Sequence, residues 1–160
     1  MEMNFYAILA AAISSIFVGF IWYNPKVFGN TWMKEIGKTQ DDMRKPNMFL
    51  LFGSAIVYSI LISFFLQFIV IHQTGAMSAT MNIKNVDPSI LDNYMKVYGH
   101  TYRTFKHGAL HGVLAGLFFA LPILGSGALW EQRSFKYVLI TGGYWVITLA
   151  IMGGIICCWE

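Results

Sequence analysis

The sequence predicts an all-α protein that spans a membrane as a four-helix bundle. Four stretches contain no Asp, Glu, Lys or Arg, and all eleven basic and eight acidic residues of the 160-residue chain lie between these stretches or at the ends. The composition is 56% hydrophobic and only 12% charged, with a mean hydropathy of +0.55. Too little polar surface therefore exists to coat a soluble globule of this size.

The uncharged stretches are expected to be transmembrane helices of a single domain, residues 1–160. Each is about as long as the roughly twenty residues that a helix needs to cross the bilayer. Their unbroken apolar runs lack the alternation of a barrel strand. The first is preceded by no basic region and followed by no small-residue cleavage site, so we expect a retained span, not a signal peptide. The predicted spans are residues 5–23, 48–71, 108–130 and 137–159.

The connection after the first span is predicted to hold a short helix on the membrane surface. Apolar residues recur there at roughly helical spacing from Val27 to Ile36, among charged ones. Its start is expected to be anchored at the membrane–water interface, because aromatic rings favour that layer, proline ends the preceding helix and glycine allows the turn. The anchoring residues are Trp22, Tyr23, Pro25, Phe28, Gly29 and Trp32.

The second connection is expected to be irregular over residues 73–86 and then to form a polar helix that leads into span three. Asp87 is a favourable helix cap, and proline, here Pro88, is favourable at the first helical position. Gly99 and Gly108 are the positions where this helix would bend. Within span three, Pro122 removes a backbone hydrogen bond and predicts a kink, with an early end of the helix possible at the glycines that follow.

The distribution of Lys and Arg predicts that both termini lie on the non-cytoplasmic side of the membrane. Basic residues are attracted to the cytoplasmic side. Connections one and three share a side and carry seven basic residues, whereas connection two carries four. The seven are Lys26, Lys34, Lys38, Arg44, Lys45, Arg133 and Lys136, and the four are Lys84, Lys96, Arg103 and Lys106. No dense basic block is present, so no nucleic-acid partner is expected.

Small residues recur at every fourth position and form ridges along the spans. Such ridges let helix backbones approach closely inside a membrane. Packing within one bundle is the simpler interpretation, and contact with a partner chain is the alternative. The helix-packing residues predicted in this way are Ala11, Ser15, Gly19, Gly108, Gly112 and Gly116.

A row of histidines is the best candidate for a functional site. His100, Arg103, His107 and His111 are spaced to lie along one stripe of a helix, which allows His107 and His111 to share a metal ion or a haem. His72, at the end of span two, is expected on the same side of the membrane. The alternatives are that these histidines are interfacial hydrogen-bonding groups or contact a partner subunit. The sequence predicts no other cofactor.

The chain also resembles a known family. The segment Phe20-Ile-Trp-Tyr-Asn-Pro-Lys-Val-Phe-Gly-Asn-Thr-Trp32 resembles the Trp-Tyr-x-Pro, Phe-Gly and Trp signature of a bacterial family of small four-span membrane proteins, catalogued as domain of unknown function 1761. Asn24 stands where Ser is usual. Similarity extends to His107-Gly-Ala-Leu-His111-Gly, to the segment 129–136 that leads into Gly143-Tyr144, and to Met152-Gly. The resemblance implies the fold and a location in the bacterial inner membrane, and it implies no activity.

Several function classes remain after these observations. No nucleophile motif, phosphate-binding loop or facing pair of acids is present, so an enzyme is not expected. A transporter would need to be oligomeric, because ion pathways usually use ionisable groups inside the membrane and these spans have none. We expect a non-enzymatic membrane subunit that packs against other membrane proteins or itself. The main alternative is a metal- or haem-binding membrane protein that uses His107 and His111, with His100 or His72.

Overall fold

The computed structural model describes residues 4–81, 83, 87 and 89–160. Within this part of the chain the protein is helical, no strand occurs, and four helices are long and apolar enough to cross a membrane. The predicted fold class is therefore confirmed. The helices that could span a membrane are Phe5–Trp22, Met48–Val70, Phe105–Trp130 and Phe135–Cys158, called spans one to four.

Eight α-helices and three short irregular helical turns make up these spans and their connections. Span one is α1 and span two is α3, whereas span three consists of α6 and α7 joined by a π-helical turn, and span four is α8. The helices are α1 (Phe5–Trp22), α2 (Asn30–Glu35), α3 (Met48–Val70), α4 (Gln73–Thr80), α5 (Ser89–Tyr98), α6 (Phe105–Ala115), α7 (Leu121–Trp130) and α8 (Phe135–Cys158).

A polar side chain caps the first turn of each span. In each case its oxygen accepts a hydrogen bond from the backbone N–H three residues later, which satisfies a donor that the helix itself cannot pair. Spans one and two begin at the predicted residues 5 and 48, whereas spans three and four begin three and two residues before the predicted 108 and 137. The capping residues are Asn4, Asn47, Thr104 and Ser134.

Span four is the centre of the bundle, and span three packs most closely against it. A Cβ atom on Gly108 would collide with the backbone oxygen of Gly153, and one on Gly112 with that of Leu149. The absence of side chains at these two positions lets the helix backbones touch. The predicted glycine ridge of span three, which includes Gly116, therefore faces the chain's own span four.

The small residues of span one also face the interior. Ala11 is fully buried, and the Ser15 hydroxyl lies 2.7 Å from the hydroxyl of Ser59 in span two. A Cβ atom on Gly19 would lie 3.8 Å from the ring of Tyr144 in span four. All six residues predicted to pack helices together therefore contact other parts of the same chain or are buried by them.

Connection one folds back against the start of span four. Trp22 donates its indole N–H to the backbone oxygen of Ile140 at 3.0 Å, and the rings of Tyr23 and Trp32 lie 5.0 Å apart. A π-helical turn, Pro25–Gly29, leads directly into α2. The helix predicted after span one is thus present. Several of its predicted anchors, Trp22 above all, contact protein.

The carboxylate of Glu35 fastens α2 to span four. It accepts a hydrogen bond from the Ser134 hydroxyl and lies 3.7 Å from the Lys136 ammonium. Because Ser134 caps span four, this pair joins connections one and three at the same end of the bundle. The up-and-down order of the four spans follows.

Connection two differs from the expectation in two ways. Gln73–Thr80 forms a helix, not an irregular segment. The hydroxyls of Ser78 and Thr80 donate hydrogen bonds to backbone oxygens of the preceding turn. The following helix, α5, ends at Tyr98, and a turn separates it from span three. Pro88 lies outside the described residues. The Asp87 carboxylate accepts the Ser89 N–H, and this bond holds the pKa of Asp87 below its usual range.

Span three passes through Pro122 without ending. A π-helical turn, Gly116–Ala120, precedes the proline, and the helix then continues from Leu121 to Trp130. The wider turn accommodates the ring and the missing N–H, which would otherwise break the helix. The expected early end at Gly125 and Gly127 does not occur.

Candidate metal centre

Three histidines from two separate segments of the chain lie close together at the end of the bundle where connection two lies. His72 directly precedes α4, and His107 and His111 lie one turn apart on α6. One ring nitrogen from each lies within 4.8 Å of those of the other two. We call His72, His107 and His111 the histidine cluster.

The three rings of the cluster contact one another. The Nε2 atoms of His72 and His107 are 2.8 Å apart. The ring centre of His111 lies 4.9 Å from that of His72 and 4.6 Å from that of His107. His72 is exposed and the other two are partly buried, so the cluster is reachable from outside the protein.

The turn before span three positions the ring of His107 within the cluster. The Thr104 side chain caps α6 by accepting the His107 N–H, which starts the helix at Phe105. Tyr102 has a positive φ of 64°, a left-handed conformation that is uncommon for a residue with a side chain. In this conformation its ring stacks on His107, with ring centres 4.9 Å apart. Strain at Tyr102 therefore accompanies a defined position of the His107 ring.

Gln73 holds the neighbouring His72 in place. Its side chain is buried, and its amide nitrogen donates to the backbone oxygens of Tyr98 at 2.7 Å and Thr101 at 2.9 Å. These bonds attach the beginning of α4 to the turn before span three. The two segments that carry the histidines are thus joined by a buried polar side chain.

Cys157, near the end of span four, contacts both segments that carry the histidines. Its thiol lies 3.3 Å from the backbone oxygens of Val70 and Tyr102, which precede His72 and His107 respectively. Arg103 adds a second link by donating to the backbone oxygens of Cys157 and Trp159, each at 2.7 Å. A cation at this helix end also stabilises the helix dipole.

The structure changes the membership of the predicted histidine stripe. His100 and Arg103 lie in the turn outside α6, so they do not continue the line of His107 and His111. The Nδ1 atom of His100 lies 3.0 Å from a carboxylate oxygen of Glu160. His100 therefore takes no part in the cluster. His72 is the third histidine beside His107 and His111. The predicted line of four residues required an unbroken helix through residues 99–104, whereas this segment is a turn.

The cluster fits a transition-metal ion better than a haem. Zinc binds imidazole nitrogens at about 2.0–2.1 Å in a tetrahedral arrangement, which places the ligand nitrogens about 3.4 Å apart. The observed spacings, 2.8 Å between His72 and His107 and at most 4.8 Å within the cluster, lie on either side of that value. A porphyrin would have to separate rings that already touch.

Several residues around the cluster carried little signal in the sequence. Gln73 and Cys157 bond to backbone oxygens of residues far away in the chain, and no local spacing predicts such bonds. Tyr102 contributes through its left-handed conformation and the stacking of its ring on His107. Because His72 ends a span, the sequence predicted that it lies on the same side of the membrane as the other histidines. The sequence did not predict which histidine it contacts.

Comparison with known proteins identifies the family. The family described as "Protein of unknown function (DUF1761)" matches residues 6–157. The chain therefore belongs to this family, in agreement with the resemblance of its Trp-Tyr-x-Pro segment. No curated protein and no solved structure matches the chain.

Proposed function

We propose that this member of the DUF1761 family is a multi-pass membrane protein that binds a divalent transition-metal ion through His72, His107 and His111. The observation that carries the proposal is the convergence of three imidazoles, with ligand atoms within 4.8 Å of one another, from segments far apart in the sequence. Imidazole nitrogen suits Zn²⁺, Cu²⁺, Ni²⁺ and Fe²⁺.

The ligand set also indicates what kind of metal site this is. Structural zinc sites are closed by four protein ligands, usually including cysteine, whereas sites with three protein ligands leave a position for water or another molecule. The described residues offer no fourth His, Cys, Asp or Glu to the cluster. We therefore expect the bound ion to keep an open coordination position.

The contacts around the cluster support a built site. Metal-binding histidines generally need further groups that fix their orientation. Here Tyr102 stacks on His107, and Gln73 attaches the segment of His72 to the turn before span three. A histidine that served only as an interfacial anchor would not need these bonds.

The alternative role as a packing subunit is less well supported by the contacts. It was motivated by ridges of small residues, and these ridges contact spans of the same chain. The proposal of metal binding assigns no reaction. We further propose a bacterial inner-membrane location, as the family resemblance implies. The excess of basic residues in connections one and three supports a non-cytoplasmic position of the histidine cluster.

Metal titration of the purified protein in detergent tests the proposal. The wild type should bind one Zn²⁺ per chain, and Co²⁺ should give the visible spectrum of a site with three nitrogen ligands. Alanine at His72, His107 or His111 should weaken binding by about tenfold or more, since each change removes one ligand. His100→Ala is the matched control and should bind like the wild type. Equal Zn²⁺ binding by wild type and His107→Ala would refute the proposal.

A further inference from the structure

An apolar groove runs from the histidine cluster along the outside of the bundle. It lies between spans two and three and has a volume of about 790 Å³. His111 lines its upper end and Trp145 of span four is part of its floor. The groove is thus a feature with one polar end and an otherwise apolar lining.

The π-helical turn of span three forms one wall of the groove. Phe118 and Phe119 belong to this turn and line the groove, opposite Phe65 of span two. Turns of this kind inside α-helices frequently occur at functional sites. From His111 to Leu124, which also lines the groove, a helix rises about 20 Å, a distance comparable to much of the hydrocarbon thickness.

The charge of the proposed site indicates which head group the groove would accept. Three neutral imidazoles leave a bound divalent ion with its full charge, and the cluster includes no carboxylate among the described residues. Arg103 and Lys106, just before His107 in the chain, add positive charge. An anionic oxygen ligand would offset this charge, and a charge next to hydrocarbon is costly unless it is paired.

We infer that the groove binds the acyl tail of a long-chain carboxylate whose head group occupies the open position of the metal at His72, His107 and His111. This inference rests on the proposed metal site. The apolar lining takes the tail, and the contact of His111 with both groove and cluster places the head group at the metal. A concave site with apolar walls and a few convergent polar groups is typical of sites that bind small molecules.

Tryptophan fluorescence can test the inference, because Trp145 lines the groove and Trp130 is almost fully exposed on the outside of span three. The protein is placed in phosphatidylcholine nanodiscs, loaded with Zn²⁺ and titrated with a brominated long-chain fatty acid, which quenches nearby indoles. Quenching of Trp145, isolated by comparison with Trp145→Phe, should saturate near one fatty acid per chain. The brominated methyl ester should bind about tenfold more weakly, because it cannot supply a carboxylate.

A pair of variants separates failure of this inference from failure of the metal site. Ile69→Phe with Leu114→Phe narrows the groove beside His111 and should abolish saturable quenching while one Zn²⁺ still binds. His107→Ala should lose both. If Zn²⁺ binds but the acid, the ester and brominated phosphatidylcholine quench Trp145 equally, bulk lipid fills the groove and the inference is wrong. If Zn²⁺ does not bind the wild type, the metal proposal itself fails.

Discussion

His72 and His107 face each other with their Nε2 atoms 2.8 Å apart, although 35 residues separate them in the chain. One ring must donate a hydrogen bond and the other accept it, so at least one of these two nitrogens carries no proton. An unprotonated imidazole nitrogen is what a metal ion requires. The pair therefore already supplies one ligand atom, and the proposed metal would replace the shared proton.

Gln73 is predicted to control metal affinity without binding metal. Replacing it with Glu retains its shape but removes the N–H groups that reach Tyr98 and Thr101. We expect the Zn²⁺ affinity to fall by about tenfold or more, as for other groups that orient metal ligands. Zn²⁺ titration measures the affinity and thermal unfolding measures the fold. Gln67→Ala is the control, because the amide nitrogen of Gln67 donates to the backbone oxygen of Phe64 in its own helix. Equal affinities in the two variants would contradict the prediction.

Gly112→Ala should destabilise the bundle. The added methyl group would overlap the backbone oxygen of Leu149, so spans three and four must move apart. Overpacking of this kind costs about 1–3 kcal/mol. Unfolding in mixed detergent micelles measures the loss. Gly127→Ala adds the same group to the same span at a position where, among the described residues, no atom beyond the adjoining helix backbone and chain neighbours lies within 4 Å, and it should be neutral or slightly stabilising.

The hydrogen bond between Ser15 and Ser59 should contribute modestly to the contact of spans one and two. Bonds between membrane helices contribute about 0.6 kcal/mol on average. A double-mutant cycle with alanine at both positions should give a coupling of about that size in the free energy of unfolding. Ser14, whose hydroxyl donates to the backbone oxygen of Ala11 in the same helix, is the control position and should show no coupling to Ser59.

The proposed orientation predicts that Cys158 can be labelled from outside the cell. Cys158 is exposed beyond the core of span four, whereas Cys157 is buried. A membrane-impermeant maleimide should therefore modify intact cells expressing the wild type but not Cys158→Ser. A cysteine introduced at Lys38 in that variant should react only after the cells are broken. The reverse pattern would place both termini in the cytoplasm.

Acid should open the turn in connection one. The Asp42 carboxylate accepts hydrogen bonds from Lys45 and from the side chain and N–H of Thr39, and these bonds hold the pKa of Asp42 below its usual range. A carboxyl group with a lowered pKa in the fold stabilises it fully above the ordinary pKa of about 4, and this contribution is lost as the pH falls further. The Thr39 amide signal in NMR spectra should shift below that pH. Asp42→Asn should remove the shift, and Asp41→Asn should not.

The sequence predicted those parts of the molecule that depend on local solvation. Uncharged runs of bilayer length become helices wherever they occur, because hydrocarbon offers backbone groups no other hydrogen-bond partners. The short helix after Pro25 follows from its local spacing of apolar residues. The same reasoning failed between Gly99 and Thr104, where Tyr102 has a left-handed conformation and contacts His107 and the distant Cys157.

By itself, the sequence therefore determined that the protein is a four-span helical membrane protein, and which ends of the helices lie together. Only the tertiary structure decided which histidines meet. His72 joins His107 and His111 because Gln73 and Cys157 bond to distant backbone oxygens, and His100 is excluded because the helix begins after it. Helix periodicity reports neighbours within one helix, whereas a site built from two helices depends on how their backbones pack.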